Sequence, residues 1–153
     1  MEIRKARLSD LPDILEMEHI CFAEDSFNRR QFIYLMTKAK GNFLSVQNGE
    51  KVVAYISLIH NRSAQSVRIY SIAVHPDFRH LKIGQHLIDK TTEYAKQCEA
   101  KKITLEVKVS NVPAISLYEK NGFETTHIIT NYYHDGSSAY RMKKVLEELS
   151  GNL

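Results

Sequence analysis

The stretch "SVRIYSIAVHPDFRHLKIGQHLI" (residues 66–88) changes period in its middle, and that change decides the class of fold. Up to His75 the residues form an apolar run with β-branched and aromatic members, which reads as a strand. After Pro76 the pattern becomes helical, with Ile83, Leu87, Ile88, Thr91 and Ala95 on one stripe. The run "KKITLEVKV" (residues 101–109) then returns to strand alternation. A strand, a helix and a second strand in that order imply a parallel pair joined by a right-handed crossover.

On the N-terminal side the chain reads differently. "MEIRKA" (residues 1–6) alternates as a first strand, and Ser9 is a candidate cap for a helix with Leu11, Ile14, Leu15 and Met17 inward. Pro12 is tolerated there because it lies in the first turn. A second helix over "NRRQFIYLMTKAKG" (residues 28–41) is capped by Asn28, carries Phe32, Leu35, Met36 and Ala39 on one stripe and stops at Gly41. The loop "CFAEDSFN" (residues 21–28) between the helices holds Phe22 and Phe27. Asn48-Gly49-Glu50 joins "NFLSVQ" to "KVVAYISLIH" as a hairpin. After residue 109 come a short helix in "PAISLYEKNG" (residues 113–122), ending at Gly122, and strands in "FETTHIIT" and "SAYRMKKVL". The expected architecture is one mixed α/β domain over residues 1–153, a mostly antiparallel sheet of about seven strands flanked by about four helices.

Bulk composition narrows the function. With 43% hydrophobic and 25% charged residues, six Gly and three Pro, the 153-residue chain reads as an ordinary folded protein. A net charge of +3 falls short of the concentrated basic face that nucleic acid needs, so no nucleic-acid partner is expected. No apolar stretch reaches the length of a membrane span, and "MEIRKARLSD" lacks the core of a signal peptide, so no membrane partner and a cytoplasmic location are expected. Cys21 and Cys98 make neither a disulfide framework nor a metal knuckle, and the His residues lack paired zinc spacing. No metal is expected.

Residues 79–85 enter a helix, where unpaired backbone N–H groups and a partial positive charge favour an anion. Arg79, His80 and Lys82 add cations, and Gly84 allows close backbone approach. The same residues also read as a solvated basic turn. In "ITLEVKV", Thr104, Glu106 and Lys108 share the face opposite Ile103, Leu105 and Val107, so Glu106 is either a solvated strand charge or a carboxylate beside a cleft. Tyr118 shares a stripe with Ala114 and Leu117, as a core aromatic or an acid. Asn111 caps the short helix or contacts a ligand.

Taken together, "IYSIAVHPDFRHLKIGQHLI", "LEVKVSNVPAISLYEKNGF" and "TNYY", in that order, resemble the GNAT family of N-acetyltransferases, and among them the RimI-type enzymes that acetylate protein N-termini. The resemblance implies the GNAT fold, acetyl-CoA as co-substrate and a protein N-terminus as acceptor. It implies that Ile72, Ala73 and Val74 offer main-chain bonds to the pantetheine arm, and that His80, Lys82, Ile83, Gly84 and Gln85 wrap the pyrophosphate. Arg79 and Gly84 match the family's glycine pattern, whereas Lys82 stands where its first glycine is usual. By the same likeness Asn111 contacts the cofactor, Glu106 is the general base and Tyr118 the general acid, with a backbone N–H near Ala73 or Val74 holding the oxyanion. A phenol near its ordinary pKa of about 10 suits that acid role. Phe22, Phe27, Tyr132 and Tyr133 line the acceptor slot or simply close the core. Neither cysteine matches a nucleophile position, so transfer is expected to be direct. A lysine or small amine is the alternative acceptor, a non-catalytic acyl-CoA-binding module the alternative function, and the chain is expected as monomer or homodimer.

Overall fold

The computed structural model describes residues 1–147, so the last six residues of the expected 1–153 domain lie outside the described residues. The order is β1 (Glu2–Lys5), α1 (Leu11–Phe22), α2 (Arg29–Thr37), β2 (Gly41–Asn48), β3 (Lys51–Asn61), β4 (Ser66–Val74), α3 (Ile83–Gln97), β5 (Lys102–Lys108), α4 (Val112–Lys120), β6 (Glu124–Ile129) and β7 (Ala139–Val145). The seven strands are hydrogen-bonded in the order β1-β2-β3-β4-β5-β7-β6. β4 and β5 pair in parallel, from Ser66↔Lys102 to Ile69↔Leu105. The β1–β2, β2–β3, β5–β7 and β6–β7 pairs are antiparallel. Among the described residues the seven strands and four α-helices are therefore those expected.

The chain divides into two compact units, Met1–Ile59 with Tyr70–Leu87, and His60–Ile69 with Ile88 onward. In the first, Leu11, Ile14 and Met17 of α1, Phe32 and Leu35 of α2, and Phe43, Val52, Tyr55 and Ala73 of the strands form a buried cluster. α1 begins one residue later than a cap at Ser9 would place it, with Asp10 in the cap position. Arg4 of β1 grips the Asp10 carboxylate through both Nη1 (2.8 Å) and Nη2 (2.9 Å), the Arg7 N–H donates to it as well, and Leu11 opens the helix. Asn28 does cap α2, accepting from Gln31 N–H at 2.9 Å while the Gln31 side chain accepts from Asn28 N–H at 2.8 Å. Gly41 is not the stop of that helix, which ends at Thr37; it opens β2, where an added Cβ would lie 1.8 Å from the Leu58 carbonyl oxygen. The hairpin expectation holds, with Asn48 paired to Lys51 across a two-residue turn whose Gly49 has φ 65°.

In the second unit Ile103, Leu105 and Val107 are buried along one face of β5, and Met142 and Ala139 of β7 are buried as well. The opposite face of β5 carries Thr104, Glu106 and Lys108, as alternation requires. α4 ends at Lys120, and Gly122 takes φ 90° just past it, the left-handed conformation that Gly adopts without a Cβ clash. Among the described residues no helix is long and apolar enough to cross a membrane.

Candidate functional site

In the first unit, Ile72, Ala73 and Val74 are the last residues of β4, past the end of its register with β5. The Val74 carbonyl is already engaged: Arg79 Nε donates to it at 3.1 Å and Cys21 Sγ lies 3.8 Å away. Arg79 Nη2 lies 3.5 Å from that same sulfur. The Arg79 guanidinium therefore turns back onto the strand end, and Arg79, His80 and Lys82 are all exposed. Burial pushes the Cys21 thiol above its ordinary value, which disfavours the thiolate a nucleophile would need.

A 3₁₀ turn over Pro76–Leu81 leads to Lys82, which sits at φ 58°, ψ 27°. That is the left-handed region, disfavoured for any residue with a Cβ by about 1–2 kcal/mol. Here lies the physical reason a glycine suits this position, and Lys82 occupies it with its side chain in solvent. From it the chain enters α3 with Ile83, Gly84 and Gln85 in the first turn and no acidic residue there. N–H groups at a helix start, cations beside them and no carboxylate in the turn suit a polyphosphate, so these residues fit the pyrophosphate of CoA.

Phe22 closes α1, and Phe27 follows it in the segment before α2. The segment is held from below by Glu18, a buried carboxylate that accepts the Phe27 N–H at 2.9 Å and the Tyr55 hydroxyl. Tyr55 and Ser71 hydroxyls lie 2.7 Å apart. Burial raises the proton affinity of Glu18 and lifts the Tyr55 phenol further still, with the Glu18 charge adding to it. Phe27 stacks on Tyr70 at 5.1 Å and meets Phe32 edge-on at 6.1 Å. Phe22 and Phe27 are half-buried against the core cluster, so packing on it is part of what they do.

In the second unit, Glu106 is not a lone strand charge. Arg68 of β4 donates to its Oε1 through Nε (2.9 Å) and Nη2, and Arg141 of β7 donates to Oε2 through Nε at 3.2 Å. The carboxylate is 5% exposed. With about four lone-pair positions on a carboxylate, three are taken, and the remaining one is on Oε2. Parallel pairing sets Arg68 beside Thr104, and antiparallel pairing sets Arg141 opposite Glu106. Neither register is legible in one sequence, which is why this cluster escapes sequence reasoning.

Asn111 caps α4, its side-chain oxygen accepting from Ala114 N–H at 3.4 Å. Seven residues on, Tyr118 is buried, tilted against Phe123 at 5.7 Å. Its phenol does not stay near its ordinary value of 10: burial first, and the neighbouring Tyr133 second, push it well up. Tyr132 and Tyr133 meet edge-on at 4.9 Å, Tyr132 exposed and Tyr133 half-buried. Among the described residues no group of three or more His, Cys, Asp or Glu side chains is placed to hold a metal ion.

Residues 8–123 match the model of the acetyltransferase (GNAT) family. The chain is 30% identical to an N-alpha-acetyltransferase of Sulfurisphaera tokodaii, over 92% of this chain and 90% of that protein. It is also 30% identical to a putative ribosomal protein bS18-alanine N-acetyltransferase of Bacillus subtilis, over 95% of this chain and 96% of that one. The crystal structure of a ribosomal-protein alanine N-acetyltransferase from Escherichia coli shares its fold, with a TM-score of 0.86, 24% identity, and 99% and 97% of the two chains covered.

Proposed function

Because the chain belongs to the acetyltransferase (GNAT) family, we propose that it transfers the acetyl group of acetyl-CoA directly to the α-amino group of a protein N-terminus. The observation that carries this reading is Tyr118, a buried phenol on α4 that keeps its proton at working pH. The likeness along nearly the whole chain to proteins named as α-amine and alanine N-acetyltransferases supports the choice of acceptor.

Acetyl-CoA supplies an acetyl thioester, already activated towards an amine. Main-chain groups of Ile72, Ala73 and Val74 bind its pantetheine arm, with the Val74 carbonyl reserved for Arg79 and Cys21. Around the pyrophosphate stand the first-turn N–H groups of Ile83, Gly84 and Gln85, with His80 and the Lys82 ammonium. Arg79 braces the strand. Asn111, whose side-chain oxygen accepts from Ala114 N–H at the α4 cap, has its NH₂ to offer the cofactor. A backbone N–H at Ala73 or Val74 stabilises the oxyanion.

Glu106 takes the ammonium proton through a water on Oε2. Two guanidinium partners hold its carboxylate in place. An α-ammonium, with a pKa near 8 against about 10.4 for lysine, needs only a modest base. Tyr118 then donates to the departing sulfur. Because a thiol has a pKa of about 8.5, well below that of this phenol, Tyr118 stabilises the thiolate mainly by a hydrogen bond rather than by losing its proton outright. Phe22, Phe27, Tyr132 and Tyr133 hold the first residues of the acceptor, and residues 1–153 act as one catalytic domain.

The test is thiol release from acetyl-CoA in the presence of peptides beginning Ala, Ser, Gly or Met. Release that depends on peptide and selects among these N-termini is expected. Release only with lysine peptides or polyamines would replace the acceptor, and binding of acetyl-CoA without release would leave a binding module.

A further inference from the structure

The turn between β6 and β7 is closed by Asp135 and Ser137. Asp135 Oδ1 accepts from Ser137 N–H at 2.9 Å and from Ser137 Oγ at 2.5 Å. The Ser137 carbonyl in turn accepts the N–H groups of Tyr132 (3.1 Å) and Tyr133 (3.2 Å). Gly136, at φ 82°, donates its N–H to the Tyr133 carbonyl at 2.9 Å. These bonds give the turn its internal shape. Beside the turn the Val109 N–H donates to the Ser138 carbonyl at 3.1 Å, and one side chain of β5 adds two contacts to the turn itself: Lys108 Nζ is 3.1 Å from Asp135 Oδ2 and 5.2 Å from the centre of the Tyr133 ring.

We propose that Lys108 is a positioning residue for the acceptor, an ammonium that ties the Tyr132–Tyr133 turn to the end of β5 and so holds the wall of the acceptor slot. The inference rests on the reading that Tyr132 and Tyr133 contact the acceptor. Lys108 itself lies on the polar face of β5, two residues after Glu106 and three before the α4 cap. One short segment thus carries the base, the tether and the cap. Hydrogen bonds from Ser137 first, and then Lys108, hold the Asp135 carboxyl down at about 2, so the ion pair is intact across the working pH range. An exposed pair of this kind contributes little to overall stability, so its loss loosens the turn without unfolding the protein. Acceptor binding must then order the turn at its own expense.

Steady-state kinetics with the most active of the Ala-, Ser-, Gly- and Met-initiated peptides tests this. Lys108→Met is expected to raise the peptide KM by about five- to tenfold, while kcat and the acetyl-CoA KM stay within about twofold. Lys108→Arg, which can make both contacts, restores the peptide KM. Hydrogen exchange at the Tyr132 and Tyr133 amides gives a readout independent of turnover, and Lys108→Met is expected to speed it. Native exchange and a native peptide KM in Lys108→Met overturn the inference, as does a fall in kcat with KM unchanged. Tyr133→Ala separates the two ideas. If it raises the peptide KM while Lys108→Met does not, the tether fails and the acceptor reading stands. If it leaves that KM unchanged, the acceptor reading fails and the inference falls with it.

Discussion

Tyr55→Phe removes one oxygen atom from the buried network beneath the Phe27 segment and leaves the ring that packs against Phe32 and Phe43, each at 5.6 Å, in place. A phenol has one proton, and here it goes to the Glu18 carboxylate, so the Ser71 hydroxyl must donate into the phenol oxygen. The substitution therefore orphans a carboxylate acceptor and a hydroxyl donor, in residues that are 1% and 8% exposed. A hydrogen bond to a charged group contributes about 1.5–3 kcal/mol and a neutral one about 1 kcal/mol, for a loss of about 3 kcal/mol. For a chain of this length that corresponds to a fall in Tm of about 6–12 °C. Thermal and urea unfolding of the two proteins at neutral pH measure it. A loss under about 1 kcal/mol would refute the reasoning, because it would mean that water or a rearranged Glu18 satisfies the site without the phenol.

The network has a pH signature as well. Burial raises the proton affinity of Glu18 in the folded state above its ordinary value of 4.5, so its contribution to stability is full below that value and is lost as pH rises through the folded value. Glu18→Gln should flatten that decline in urea titrations run from acid to neutral pH; an unchanged slope would assign the decline to other groups. At Lys82, with φ 58°, Gly relieves the left-handed conformation and Ala does not, so Lys82→Gly should melt about 2–8 °C above Lys82→Ala. Calorimetric titration should show both variants binding CoA more weakly than the native chain, since both lack the ammonium, and native affinity in both would remove Lys82 from the cofactor site. Glu106→Gln should lower kcat/KM about 10²-fold, most steeply for acceptors presented as ammonium ions, and full activity at neutral pH would dismiss the base.

Elements specified by local chemistry are legible in the sequence. The Asn48–Gly49 hairpin, the Asn28 cap and the change of period at Pro76 are each written in a few adjacent residues. What escaped depends on residues far apart in the chain. Gly41 reads as a helix stop because only the approach of the Leu58 carbonyl explains it, and α1 starts at Leu11 because Arg4 on another element holds Asp10. The candidate site follows the same rule. The basic turn at residues 79–85 and the polar face of β5 were visible, yet the turning back of Arg79, the two arginines on Glu106 and the Lys108–Asp135 pair arise from tertiary register. The acid role for Tyr118 is likewise modified by burial, which moves the phenol away from the value assumed for an exposed one.

The measurement that bears most directly on the central claim is mass-spectrometric mapping of the acetyl group on a peptide with a free α-amine and one internal lysine, with native enzyme and with Tyr118→Phe. The account predicts a single acetyl group on the α-nitrogen, formed about 10²-fold or more slowly by the variant while the peptide and acetyl-CoA KM values hold. Acetylation of the lysine instead, or an undiminished rate in Tyr118→Phe, would contradict it.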